Sequence, residues 1–323
     1  LASYLFSSKE SIEWRRWSKK VIVRQLKEQI LIDGGHFERS PMYHCIMLEN
    51  IYDLIQVVQF FEPKSQLLNS LNQYPDKMLE WLIVMSHLDG KIPKFNDSAI
   101  GFAPSLELLK SYQVKLGLND IIELENINYL SESGFISFEN RKYKCLADVG
   151  DIGPKYLKGH GHSENMSFEL SVGCKRLFVN SGIGTYQNGA QREYERSSFA
   201  HNTISINKMS SNEVWSSFRV ARTSLCSLAS MTYINDVAHF SIVQDGFKRL
   251  YKSYYHRREF EFGDNELVIR DDFFGKVDSN THDAYFVLHV NSGWEVIEND
   301  GKVVITDERI ITNINPPKGS TIS

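Results

Sequence analysis

The stretch His160-Gly161-His162-Ser163-Glu164-Asn165-Met166-Ser167-Phe168-Glu169-Leu170-Ser171-Val172 decides how the second half of this chain folds. Phe168, Leu170 and Val172 alternate with Ser167, Glu169 and Ser171, the period of two that turns one face of a β-strand toward a core. Similar short runs follow in Phe135-Ile136-Ser137-Phe138, Thr203-Ile204-Ser205-Ile206, Leu267-Val268-Ile269-Arg270 and Ala284-Tyr285-Phe286-Val287-Leu288-His289. Polar turns separate them and no helical pattern stands between, so an antiparallel β-sandwich is expected over residues 129–323. Two histidines spaced by one glycine at the mouth of such a strand have little use in a core. With His201, in Phe199-Ala200-His201-Asn202-Thr203, they point to a metal site or a catalytic imidazole.

Upstream the period changes. Ile46, Met47, Ile51, Leu54, Ile55 and Val58 line one helical face, with Glu49, Asn50 and Asp53 on another. Comparable patterns run over residues 12–30, 67–87 (Met78, Leu82 and Met85 in phase) and 105–116, separated by loops carrying Gly34-Gly35, Pro63, Gly90 and Pro93. Helical hairpins are therefore expected over residues 1–128, with the junction at 119–129. The fold class is α+β in two domains.

Composition excludes several functions. With 42% hydrophobic and 24% charged residues, a chain of 323 can bury one large core or two moderate ones. The net charge is −4 and the cations are scattered, so no stripe suited to a nucleic-acid backbone is present. No apolar run is long enough to span a bilayer as a helix; the run Ile51 to Phe61 is broken by Asp53 and Gln56. Cys45, Cys145, Cys174 and Cys226 lack paired spacing and read as buried thiols. Gly182-Ile183-Gly184 is not a dinucleotide loop, since no helix pattern opens after it.

The segment Asp33-Gly34-Gly35-His36-Phe37-Glu38-Arg39-Ser40-Pro41-Met42-Tyr43-His44 has two readings. As a turn, Gly34-Gly35 ends one helix, Ser40 caps the next and Pro41 takes its first position. That leaves His36, Glu38, Tyr43 and His44 crowded together without explanation, and loops are where chemistry is often carried. Asp97, in Phe95-Asn96-Asp97-Ser98, reads equally as a cleft residue or as an Asx-turn cap.

Taken together, this loop and the segments around His160 and His201 resemble the heparinase II/III family of polysaccharide lyases, over most of the chain. The resemblance implies an incomplete α/α toroid joined to a β-sandwich, with an acidic polysaccharide in the cleft between them. It also implies β-elimination at a uronic acid. That reaction needs a base for the proton beside the carboxylate, an acid for the departing oxygen, and a group that neutralises the carboxylate. By resemblance Tyr43 is the acid and in some members also the base. The second role needs a cation to lower the phenol pKa, for which Arg39 and His44 are the local candidates. His160 is implied to assist proton transfer, and His162, Asn180 and His201 to hold a structural divalent metal, expected to be zinc. Asn180, in Phe178-Val179-Asn180-Ser181-Gly182, replaces an acidic residue of the family pattern, which should weaken the site or change its metal. The alternative is that His162 and His201 only hydrogen-bond across strands. Glu38, Arg39, His44, Asp97, Tyr186, Tyr194 and Arg196 are the expected substrate contacts, the cations for a uronate or sulfate and the aromatics for sugar faces.

The family also uses an Asn-His pair on an earlier toroid helix, and none precedes Tyr43 here. With Leu1 at the start and no leader pattern, the expectation is a fragment truncated at both ends, from a periplasmic or secreted protein. A non-catalytic protein of acidic-carbohydrate binding or surface-polysaccharide assembly is the competing expectation. A metal-dependent hydrolase is a third.

Overall fold

The computed structural model describes residues 2–119, 125–234, 237–251, 254–275, 282–299, 302–307 and 311–314. The junction residues 120–124 and the closing Asn315 to Ser320 lie outside them.

Six helices come first: α1 (Ala2–Leu5), α2 (Lys9–Gln29), α3 (Pro41–Phe61), α4 (Gln66–Leu71), α5 (Pro75–Val84) and α6 (Leu106–Lys115). Four of them start alike. Ser8, Ser40, Ser65 and Ser105 each accept, on the side-chain oxygen, the backbone N–H three residues on, which satisfies one orphan donor of the first turn. Helix α3 buries Cys45, Leu48, Ile51, Tyr52, Ile55 and Val58 in a cluster with Leu71, Met78, Leu79, Trp81, Leu82 and Leu109.

The strands follow: β1 (Ile127–Leu130), β2 (Phe135–Glu139), β3 (Tyr143–Asp148), β4 (Phe168–Val172) and β5 (Lys175–Phe178), then helix α7 (Ala190–Arg196). After it come β6 (Ile204–Ile206), β7 (Val214–Trp215), β8 (Arg219–Val220), β9 (Cys226–Ile234), β10 (Val237–Gln244), β11 (Tyr254–Phe262), β12 (Leu267–Gly275), β13 (Ala284–Phe286), β14 (Glu295–Asn299), β15 (Lys302–Thr306) and β16 (Ile311–Ile314). A five-stranded sheet runs β1 to β5 in order, a four-stranded sheet β12-β11-β10-β9, and every strand pairing among the described residues is antiparallel.

The five-stranded sheet is a middle layer. Ile136, Phe138, Cys145, Phe168 and Leu170 share a cluster with Phe240, Ile242, Phe260 and Phe262 of the four-stranded sheet. On the opposite face, Phe135 and Leu146 join the helical cluster, with Phe135 against Trp81 and Phe95. Both faces are covered, so every residue of β3 is buried and its sequence loses the alternation seen in half-exposed strands.

Several expected boundaries move. The pattern over 67–87 divides into α4 and α5 because Pro75 has no N–H to continue a helix and takes the first position of α5. Helix α2 stops at Gln29, ahead of Gly34-Gly35, and Ile30 bridges back to His36. Strand β1 begins at Ile127, so a division at 128 would cut it. Helix α7 interrupts a region expected to hold strands and loops alone. Cys45 and Cys145 are buried as expected, whereas Cys174 is exposed and Cys226 half-buried.

Gly34 has φ 87°, and a Cβ there would stand 2.2 Å from the Lys77 carbonyl oxygen. Left-handed backbone alone costs a non-glycine residue about 1–2 kcal/mol. Gly34→Ala should therefore lose at least that much in a urea unfolding titration, because the methyl also meets the α5 backbone. An unchanged midpoint would show that the turn relaxes freely.

Candidate active site

Three segments distant in sequence are sewn together beside the start of α3. Ser40 Oγ, which caps Tyr43 N at 3.2 Å, donates to the Asp97 carbonyl at 2.8 Å and lies 3.0 Å from Ser98 Oγ. Asn96, at φ 52°, donates through Nδ2 to the Arg39 carbonyl and accepts from His162 N, both at 2.9 Å. Its own N–H donates to Glu164 Oε1 at 2.6 Å, and Asp97 N donates to the His160 carbonyl at 3.1 Å. The loop between α5 and α6 thus clips the helical half to the histidine segment.

The open side of the site is aromatic. The Tyr43 and Tyr186 hydroxyls share a hydrogen bond of 2.7 Å, and the Tyr43 ring centroid is 4.5 Å from that of His160. Phe218 stacks on Tyr186 at 5.7 Å and meets the His160 ring edge-on at 5.8 Å. The Glu38 carboxylate stands 3.9 Å from His160 Nε2. The His160 side chain keeps 25% exposure, enough to meet a ligand.

Behind this wall Asp97 is wholly buried. It accepts from His160 Nδ1 and His162 Nε2, each at 2.8 Å, and from both terminal nitrogens of Arg192, one of them at 2.9 Å. Burial alone would raise its pKa, but the hydrogen bonds from His160, His162 and Arg192 outweigh it and hold the carboxyl well below the usual range. An ionised carboxylate only accepts, so His160 donates to it from Nδ1 and turns Nε2 toward Glu38 and the open side of the site. Burial pushes the Tyr43 phenol above its ordinary value; the Tyr186 hydrogen bond and Arg192 oppose this, while Asp97 and Glu38 reinforce it. Tyr43 therefore holds its proton at neutral pH.

A second cluster lies one layer deeper. His162, Glu164 and His201 are buried and each offers a ligand atom, the three lying within 4.8 Å of one another. His162 Nε2 is taken by Asp97 and His201 Nε2 by the Glu195 carbonyl at 3.0 Å, which leaves Nδ1 free on each ring. His162 Nδ1, His201 Nδ1 and Glu164 Oε2 have no hydrogen-bond partner among the described residues, although the last two are only 3.0 Å apart. Three converging, buried, unsatisfied donor atoms of N, N and O type fit a divalent metal of the zinc class.

Several sequence expectations are corrected by this geometry. His44 is fully buried, stacked on Trp81 and bonded to the Met78 carbonyl, and burial pushes its pKa down to about 3, so it neither touches substrate nor charges Tyr43. Arg39, in left-handed backbone at φ 57°, spends its guanidinium on the Asp151 and Glu132 carbonyls at the junction of the halves. Arg196 is buried and donates to the carbonyls of Gly161, Trp215, Ser216 and Arg219. Asp97 is neither a substrate contact nor an Asx cap but the buried anchor of the site. The Asn180 carbonyl oxygen is occupied by Ser167 Oγ at 2.7 Å and Asn202 N at 3.2 Å, so the carboxylate of the cluster is Glu164 and not residue 180. Glu38, Tyr43, His160 and Tyr186 come together. Tyr194, 49% exposed, instead donates its hydroxyl to the Phe199 carbonyl at 3.4 Å.

Sequence reading missed Glu164, Arg192 and Phe218. The spacing His162-x-Glu164 was a usable signal, since it puts a carboxylate two residues from an imidazole. Arg192 and Phe218 gave none.

A helical half and an antiparallel β half, meeting at a Tyr-His pair backed by a His2Glu cluster, define a class of two-part proteins with a bipartite site. The description "Heparinase II/III-like, C-terminal" matches residues 123–320, and "Heparinase II/III N-terminus" matches residues 4–114. The chain belongs to the heparinase II/III family. A heparin-sulfate lyase of Bacteroides stercoris is 26% identical over 219 residues, covering 62% of this chain and 32% of that protein. A heparin-sulfate lyase of Pedobacter heparinus is 23% identical over 215 residues, covering 61% and 33%. Among solved structures, a heparinase III superposes with TM-score 0.73 at 20% identity, covering 92% of this chain and 47% of the other. Heparan sulfate lyase HepC from Pedobacter heparinus superposes with TM-score 0.70 at 17% identity, covering 93% and 48%. The chain spans about a third of the length of the curated relatives it matches and about half of those structures.

Proposed function

We propose that this chain forms the cleft of a polysaccharide lyase that breaks a uronate-containing, glycosaminoglycan-type chain by β-elimination. The observation that carries the reading is the packing of the Tyr43 phenol against the His160 imidazole, ring centroids 4.5 Å apart, with His160 Nδ1 held by Asp97. Imidazole Nε2 takes the C5 proton; the C5–H electrons form the C4–C5 double bond as the C4–O4 bond breaks. Tyr43 Oη gives its proton to O4. Tyr186 holds the Tyr43 hydroxyl in place, and its exposed ring with Phe218 offers a sugar-stacking face. The match to lyases of both bacterial genera supports the substrate class.

On the same reading His162, Glu164 and His201 hold a divalent ion, zinc by donor type, that ties the histidine segment to the start of β6. The helical half is part of an α/α toroid and the two large sheets a β-sandwich, with the domain boundary between 119 and Ile127. The protein acts outside the cytoplasm, in the periplasm or secreted, where such polymers are met.

The test is to incubate the chain with heparan sulfate, chondroitin sulfate and alginate and follow the ultraviolet absorbance of the unsaturated uronate. Absorbance rising together with new reducing ends is expected with at least one polymer. Reducing ends without absorbance would mean hydrolysis, and binding without either would leave a recognition protein.

A further inference from the structure

The two oxygens of Asp97 face different sites. Oδ2 accepts from His160, whose other nitrogen opens to the cleft, and Oδ1 accepts from His162, whose other nitrogen points into the His162-Glu164-His201 cluster. Arg192 clamps the carboxylate from behind, so it cannot turn toward one imidazole at the other's expense. The carboxylate, His162 and Arg192 are all shut off from bulk solvent.

We propose that Asp97 is a positioning residue that couples the metal cluster to the cleft: it fixes the tautomers of His160 and His162 together, so that filling the cluster changes the state of His160. This rests on the reading of the cluster as a metal site and goes beyond it. Physically, a metal drawing electron density from His162 Nδ1 makes Nε2–H a stronger donor to Asp97, and a carboxylate more fully engaged on Oδ1 is a weaker acceptor on Oδ2. The His160 Nδ1–H bond then slackens. The coupling runs in reverse as well, because an energetic link between two equilibria is reciprocal.

Asp97→Asn separates the two functions of the residue. An amide offers one oxygen where the carboxylate offers two, so one imidazole meets an NH2 and must switch tautomer to accept from it. If that ring is His162, Nδ1 gains a hydrogen and no longer suits a metal. If it is His160, Nε2 gains one and no longer suits a base.

The experiment titrates zinc chloride into the intact chain while reading histidine ring nitrogens by 15N NMR, with zinc affinity measured by competition against a chromogenic chelator. Zinc should move the His160 ring resonances of the unaltered protein although His160 is not a ligand. Asp97→Asn should bind zinc about 10–100-fold more weakly, as second-layer partners of metal ligands generally do when lost, and should show no zinc response at His160. Zinc binding with an unmoved His160 in the unaltered protein would overturn the coupling and leave the metal reading standing. Failure of the unaltered protein to bind zinc would overturn both. The titration of the unaltered chain decides the matter even if the variant does not fold.

Discussion

On the lyase reading proposed above, Tyr43→Phe should lower the rate of unsaturated-product formation by about 10²–10⁴-fold, the usual worth of a positioned general acid, while substrate binding and thermal stability change little. The ring remains and keeps its contact with His160, and only the hydroxyl that reaches Tyr186 and the leaving oxygen is lost. Tyr186→Phe should fall well short of that loss, since it removes the partner that orients Tyr43 and leaves the acid itself in place. A Tyr43→Phe rate within threefold of the parent would remove Tyr43 from the chemistry. Equal losses in the two variants would mean that the phenols act as one unit, and the acid could not then be assigned to Tyr43 alone.

The largest stability effect is expected at Arg258, which is fully buried and donates to Asp271 through Nε at 2.7 Å and Nη2 at 3.0 Å. Its Nη1 donates to the carbonyls of Met166 at 2.7 Å and Asn202 at 2.9 Å. One side chain on β11 thus fixes the chain just after His162-Glu164 and just after His201. Arg258→Met keeps length but leaves the half-buried Asp271 carboxylate with His256 alone and two carbonyls without their donor, a change that costs about 3–5 kcal/mol when such a pair is fully buried. Urea unfolding should register it, and a loss below about 1 kcal/mol would show that His256, 2.6 Å from Asp271, suffices alone.

The same pair gives a signed pH dependence. Burial would raise the Asp271 pKa, but Arg258 and His256 overcome it and lower the group from 3.8 to about 2. A carboxylate with a depressed folded-state pKa stabilises fully above its unfolded value, so this contribution is complete above about pH 4 and is lost as pH falls through about 2. The unfolding free energy of the parent should drop over that interval by more than that of Arg258→Met. Parallel pH profiles for the two proteins would refute the assignment.

The sequence alone determined whatever depends on short spacings. Apolar residues in phase over 46–58 gave α3, and Ser40-Pro41 gave its start, because helix period and cap chemistry act within a few residues. Alternation in Phe168-Glu169-Leu170 gave β4, and the Tyr43 and His160 motifs supplied the two residues that now share the cleft wall. Tertiary structure decided what each polar partner faces. Ser167, Glu169 and Ser171 alternate as a solvent face would, yet all three are buried, Ser171 on His87 and Glu169 accepting from His87 and from Lys94 N of the helical half. Arg196 looked like a free cation and is walled in by carbonyls, while Arg192, four residues earlier on α7, turns onto Asp97. Asp97 and Arg192 are 95 residues apart in the chain. A buried charge is set by the field of groups brought together only on folding, and no local period carries that information.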